Sequence, residues 1–218
     1  MEITDSKYYL IDLDGVILDT DYDNYFWQRY IPIIYAKKRS ISEEDARNIT
    51  HTLFNYKKKS KDWYDVVYWS NILDIDIIQE KKKPANMSLI KLKEGSMETL
   101  DILKSLGKKL YLVTNAHRKT LDIKLSKYDI SKYFEDLICS HELGYIKENI
   151  QFWHLLKNKL GIEFSDTVLI EDTLDNIDSA YHAGIKNLIW INNNQDEFER
   201  LRLLRLDAFS DLASTIQN

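Results

Sequence analysis

Five short apolar runs punctuate this chain, and most of them stop at residues that carry chemistry. They are residues 8–12 (YYLID), 109–114 (KLYLVT), 137–140 (LICS), 167–170 (TVLI) and 187–191 (NLIWI). Runs this short, with few internal charges, suit strands buried on both faces of a parallel sheet, where neither face must be polar. Helical patterns separate them at 96–106, 119–128, 148–160 and 174–183. Gly107, Gly161 and Gly184 stand where three of these patterns end, as helix-terminating glycines do. Strand and helix in alternation predict an α/β chain with a Rossmann-like three-layer α/β/α core around a parallel sheet.

One stretch breaks the alternation. Residues 20–90 hold no run of this kind, only long helical patterns rich in aromatics. Twelve aromatic residues fall in these 71 positions and fourteen in the other 147. The charge shifts as well, with 12 basic and 10 acidic residues here against 18 and 25 elsewhere. Both shifts predict an inserted helical cap at 20–90, with 1–19 and 91–218 forming the core.

Composition removes several classes. The chain is 44% hydrophobic and 30% charged, with six Gly and two Pro in 218 residues, which excludes collagenous, low-complexity and disordered chains. Cys139 is the single cysteine, so neither a disulfide framework nor a cysteine zinc site can form within the chain. It reads as a small buried hydrophobe. No apolar run approaches the roughly 18 residues of a membrane span. The start, Met1-Glu2-Ile3-Thr4-Asp5, lacks a basic head, and a cytoplasmic protein is the expectation. A net charge of −5 argues against nucleic acid as the main partner.

In a doubly wound sheet the site lies beyond the carboxyl ends of the strands. Asp12 ends the first run and Asp14 and Gly15 follow it, while Thr114 ends the second and Asn115 follows. Lys147 comes soon after the third, and Glu171 and Asp172 follow the fourth, with Asp175 and Asn176 just beyond. Gly15 lets the chain turn so that both aspartates reach the site. Several carboxylates in one crevice resist ionisation unless a cation or a lysine compensates them. Oxygen ligation with no available cysteine and no histidine pair suits Mg²⁺, which prefers few carboxylates together with water and a phosphate. A carboxylate can also attack phosphorus, while a hydroxyl and a lysine stabilise phosphoryl oxygens.

Asp12-Leu13-Asp14-Gly15-Val16, Thr114-Asn115, Lys147 and Glu171-Asp172 stand in the order and spacing of four motifs. In that arrangement the chain resembles the haloacid dehalogenase-like hydrolase superfamily over residues 8–192. The resemblance implies that Asp12 is the nucleophile and a metal ligand, and that Asp14 is the general acid and base, binding metal through its main-chain carbonyl. It implies phosphate binding by Thr114, Asn115 and Lys147, and completion of the Mg²⁺ shell by Asp172 with Glu171 and Asn176 in support. Asn176 departs from the pattern, since many members carry a second acid there. An acid at position 14 favours phosphatase or phosphomutase chemistry, because it can protonate a leaving alcohol and then activate water.

Segments 23–28, 51–53, 114–117 and 144–148 resemble the bacterial purine (GMP/IMP) 5′-nucleotidase branch. That implies a purine nucleoside 5′-monophosphate substrate, with IMP and GMP first. In the cap, Asp23, Asn24, Trp27, Tyr56, Lys57, Tyr64 and Trp69 are candidates for gripping a base or ribose, and His117, three residues after Thr114, is a candidate to orient the substrate. Sugar-phosphate phosphatases, a β-phosphoglucomutase-like mutase, a phosphonatase-like hydrolase and a non-catalytic nucleotide-binding module remain the alternatives. Plainer readings stand beside these. Asp-Gly is ordinary turn chemistry, Asp172 and Glu171 could cap a helix, and cap aromatics at helical spacing fit a bundle core. The basic runs 57–61 and 81–83 read as solvated helix faces.

Overall fold

The computed structural model describes residues 3–192, 201 and 203–217. Among them, β1 (Tyr8–Ile11), β2 (Lys109–Thr114), β3 (Asp136–Cys139), β4 (Thr167–Glu171), β5 (Asn187–Ile191) and β6 (Leu204–Leu206) form one sheet. Its order is β3-β2-β1-β4-β5-β6, and every neighbouring pair is parallel. All five apolar runs are strands. The sixth strand carries no run to read: it is three residues long with Arg205 at its centre, and pairing with β5 makes it extended.

Helices follow in chain order as α1 (Asp21–Tyr25), α2 (Ile31–Arg39), α3 (Glu43–Lys57), α4 (Lys61–Tyr64), α5 (Val66–Leu73), α6 (Ile77–Lys81) and α7 (Pro84–Met87). Then come α8 (Ser96–Ser105), α9 (Arg118–Lys127), α10 (Ile150–Leu160), α11 (Leu174–Ala183) and α12 (Asp211–Gln217). The chain divides into two compact units. The first joins Met1–Asp19, Leu92–Asn115 and Asp129–Asn218; the second joins Thr20–Lys91 and Ala116–Tyr128.

In the first unit β1 sits at the centre of the sheet, where Tyr9, Leu10 and Ile11 are fully buried. Burying an aliphatic side chain such as Leu10 or Ile11 stabilises the fold by roughly 1.5–3 kcal/mol. Register then sets the site. Ile11 lies opposite Leu112 of β2 and Ile170 of β4, so the residues that follow on the three strands emerge together at one edge. The chain moves outward from β1 to β2 and β3, then returns to β4 on the other side, which puts the topological switch at that same edge. One large apolar cluster joins Leu10, Val113 and Leu169 of the sheet to Trp153 and Leu156 of α10 and Ile177 of α11.

Among its described residues the second unit has helices and no strand. Ser42 caps α3 by accepting from the Asp45 N–H at 3.0 Å, and Glu43, Glu44 and Asp45 add favourable charge to its first turn. Between α1 and α2 the turn Phe26–Tyr30 widens to a π-helix. Pro32 follows it and has no N–H to give the carbonyl of residue 28, which accounts for the wider turn. Phe54 and Trp69 pack edge to face at 4.9 Å, and Trp27 meets Phe54 at 5.5 Å.

The structure alters two expectations here. Residues 116–128, grouped with the sheet in the sequence reading, pack on α6 and α7 and belong to the helical unit. In the run 81–83, Lys82 and Lys83 are exposed, but Lys81 is buried. It pairs with Asp23 at 2.6 Å and lies 4.5 Å from the centres of the Tyr22 and Phe26 rings. A buried ammonium needs such partners, and the carboxylate comes from α1, 58 positions away.

Candidate active site

Asp12 follows β1 directly, and its N–H donates to the Ile170 carbonyl at 3.0 Å. The next residues turn sharply. The Gly15 N–H donates to the Leu18 carbonyl at 2.8 Å, while Leu13, Val16 and Ile17 anchor the turn in the interior. Gly15 has φ +83°, and a Cβ built on it would lie 1.9 Å from Asp172 Oδ2. Only glycine fits there, because both the backbone angle and the approach of Asp172 exclude a side chain. Lys93 Nζ donates to the Gly15 carbonyl at 2.6 Å and holds the turn from outside.

Lys147 is the centre of the charge network. Its Nζ lies 2.7 Å from Asp12 Oδ1 and 2.6 Å from Glu171 Oε2, and it donates to the Val113 carbonyl at 3.0 Å. Glu171 uses its other oxygen, Oε1, to accept from the N–H groups of Asp172 and Thr173 at 3.2 and 3.1 Å. Glu171 therefore orients Lys147 and shapes the turn after β4. Asp172 Oδ1 accepts from Thr173 Oγ1 at 3.0 Å, and Trp190 Nε1 donates to the Asp172 carbonyl at 2.9 Å.

Burial is felt by every charge in this group. Asp12 is pushed up to about 7, first by burial and then by the charge of Glu171, with Lys147 opposing both. Burial also raises Glu171 against the pull of Lys147. Asp172 is raised by burial and by the charge of Asp12. Burial alone would lower Lys147, but Asp12 and Glu171 outweigh it and hold the ammonium firmly protonated.

One oxygen each from Asp12, Glu171 and Asp172 lies within 4.8 Å of the others. With Glu171 engaged at both oxygens, Asp12 and Asp172 are the carboxylates suited to a cation. These are hard oxygen donors whose ionisation is resisted by burial and by neighbouring carboxylates, so they fit a hard divalent ion such as Mg²⁺. The notch at Gly15 supports that fit, since any side chain there would collide with Asp172 Oδ2. Asp14 is half-buried in the turn, and its carboxylate is not part of the cluster.

The remaining expected residues have definite places. Thr114 is the buried last residue of β2. Asn115 has both ends of its side chain in use: Oδ1 accepts from the Lys147 N–H and Nδ2 donates to Glu148 Oε2, each at 2.9 Å. Asn176 is buried, hydrogen-bonds the Glu171 carboxylate, and leaves its Oδ1 without a hydrogen-bond partner in the structure.

In the second unit, Asn24 is exposed and donates to Thr20 Oγ1 at 3.0 Å. Trp27 packs into the aromatic core. Lys57 pairs with Asp62 at 2.7 Å. His117 Nδ1 accepts from the Lys119 N–H at 3.2 Å, and its Nε2 lies 3.7 Å from Asp65 Oδ1. Asp23 is bound to Lys81 and Lys124, and Tyr56 is 83% exposed. Sequence reasoning passed over Trp153 and Ser179, which hold the Lys147 backbone. The one signal was a tryptophan six residues after the lysine, a spacing that carries no chemistry by itself.

Comparison with known proteins identifies the family. The model of the haloacid dehalogenase-like hydrolases matches residues 7–184. The GMP/IMP nucleotidase YrfG of Escherichia coli K12 is 30% identical over 202 residues, which cover 93% of this chain and 90% of that one. The phosphorylated carbohydrates phosphatase of Thermotoga maritima is 22% identical over 88% of each chain. Among solved structures, the HAD phosphatase from Thermococcus onnurineus superposes with a TM-score of 0.82 at 22% identity, covering 96% of this chain and 97% of that one. The chain is an enzyme of the haloacid dehalogenase-like hydrolase family.

Proposed function

We propose that the chain is a Mg²⁺-dependent phosphomonoesterase that hydrolyses purine nucleoside 5′-monophosphates, IMP and GMP first, through a phosphoryl group carried on Asp12. The observation that carries the chemistry is the salt bridge of Lys147 to Asp12 and Glu171 at the carboxyl ends of parallel strands, with Asp172 beside it. Support for the purine comes from the 30% identity to the GMP/IMP nucleotidase over nearly the whole chain.

In this reading an Asp12 carboxylate oxygen attacks phosphorus and the bond from phosphorus to the 5′ oxygen breaks. Asp14 delivers a proton to that leaving oxygen. Asp14 then takes a proton from water as the water attacks phosphorus, and the bond to Asp12 breaks to release phosphate. Lys147 keeps Asp12 in place and faces the charge that builds on the phosphoryl oxygens, together with the Thr114 hydroxyl and the Asn115 main-chain N–H. Asp12, Asp172 and the Asp14 main-chain carbonyl would hold the cation. When bound, Mg²⁺ offsets the mutual repulsion of phosphate and carboxylates. Residues 20–90 serve as the cap in this reading, and Asn24 and Lys57 within it, with His117 of the same helical unit, are the polar candidates for the base or ribose.

The test is phosphate release from IMP, GMP, AMP, UMP and glucose 6-phosphate, each with Mg²⁺ and with EDTA. EDTA-sensitive release from IMP and GMP, lost in Asp12→Asn with the fold intact, is the expected result. Substantial turnover by Asp12→Asn would end the mechanism. Release from the sugar phosphate alone would move the substrate to a phosphorylated carbohydrate, a reading that the Thermotoga maritima relative favours.

A further inference from the structure

Lys147 belongs to no strand or helix, yet it is 1% exposed and its ammonium must meet three acceptors at once. A four-carbon side chain reaches a fixed point only if its own backbone is fixed, and here no ladder does that work. The N–H is held by Asn115 Oδ1. The carbonyl oxygen accepts from Trp153 Nε1 of α10 at 2.8 Å and from the Ser179 hydroxyl of α11. Trp153 Nε1 also lies 2.8 Å from Ser179 Oγ, so the three groups close a small ring.

This ring lies in an apolar neighbourhood. Trp153 packs with Phe152, Leu156, Ile177 and Ala180, and is fully buried; Ser179 is 5% exposed. A phenyl ring and a methyl group would satisfy packing there, and an indole N–H and a hydroxyl are costly to bury without partners. Both find the Lys147 carbonyl, which a turn would otherwise leave buried and unsatisfied. Ser179 also approaches the Asn176 carbonyl at 2.9 Å, so its single proton can serve either oxygen, and the Trp153 N–H keeps the Lys147 carbonyl engaged in both cases.

We propose that Trp153 and Ser179 are positioning residues for the reaction: they clamp the main-chain carbonyl of Lys147 and so set where its ammonium stands against Asp12. The assignment rests on the phosphatase reading for its effect on turnover, and the clamp itself has a separate readout. Ser179→Ala and Trp153→Phe are to be assayed with p-nitrophenyl phosphate and IMP in Mg²⁺, alone and combined with Lys147→Gln. Because Lys147 acts on charge that develops in the transition state, each single variant is expected to lower kcat about tenfold with KM changed less than about twofold. Added to Lys147→Gln, either should cost less than about twofold, since the group it positions is gone. Unchanged kcat in the single variants, or the same loss with and without Lys147, overturns the positioning role.

The second readout is amide hydrogen exchange of residues 144–149 in the full chain. Ser179→Ala should speed exchange of this loop while α10 keeps its protection, and unaltered loop exchange overturns the clamp. Wild-type protein inert toward every phosphate ester would sink the phosphatase reading, and hydrogen exchange would still decide the clamp.

Discussion

At Gly15 two demands meet in one residue: a positive φ and a neighbour that leaves no room for a Cβ. Gly15→Ala should cost about 1–3 kcal/mol of stability from backbone strain and collision with Asp172. It should also lower turnover by roughly a hundredfold, because Asp172 is displaced from Asp12. Thermal melts and initial rates check both, and wild-type rates in the variant would show that the turn yields harmlessly. The Asp-Gly step was legible as a turn from local sequence. That Asp172 presses on this glycine was not, because the two are 157 positions apart and meet only through strand pairing. Asn115 teaches the same lesson. Its place after β2 was readable, but the use of its side chain on Lys147 and Glu148 needed the fold.

Between elements, the helical unit is tied by one carboxylate. Asp23 of α1 reaches Lys81 of α6 at 2.6 Å and Lys124 of α9 at 2.5 Å, with the lysine side chains 1% and 2% exposed. Burial alone would push Asp23 up, but the two ammonium groups outweigh it and hold the carboxyl well below the usual range. Asp23→Asn removes the carboxylate from two buried ammonium groups. The expected cost is about 3 kcal/mol, at the low end for a buried pair because Asp23 itself is 30% exposed. The sign with pH follows from the lowered folded value. Unfolded aspartate ionises near 3.9, so the contribution is whole above that pH and is lost as pH falls below it towards the folded value. Melts from pH 6 down to pH 3 should show wild type losing its advantage over Asp23→Asn, and a constant gap would contradict the pairing. The basic run 81–83 looked like a solvated face because neither helical spacing nor charge count shows that Asp23 reaches back to Lys81.

For the molecule as a whole, the proposed metal site would link stability to a cation. Burial raises both Asp12 and Asp172, helped by the charge of Glu171 at Asp12 and by that of Asp12 at Asp172, so an ion binding both would favour the folded chain. Mg²⁺ at a hundred times its dissociation constant would add about 2.7 kcal/mol, or roughly 5–10 °C in Tm for a chain of this size. The rise should vanish in Asp172→Asn and in EDTA. An equal rise in wild type and variant would mean that the ion binds elsewhere. Among the described residues no helix is long and apolar enough to cross a membrane, which agrees with the absence of a long apolar run.

Five of the six strands, and the residues at their carboxyl ends, were legible in the sequence alone. Two-sided burial demands continuous apolar runs, and parallel pairing carries whatever follows those runs to a common edge. Tertiary structure decided which of these side chains meet and which partners they find. Glu171 is drawn to Lys147 across 24 positions, Ser179 to the Lys147 carbonyl across 32, and Lys124 to Asp23 across 101. It also decided that 116–128 joins the helical unit and that Leu204–Leu206 extends the sheet. Each depends on a buried polar group or an unpaired strand edge finding its partner far along the chain, and local pattern carries no record of such partners.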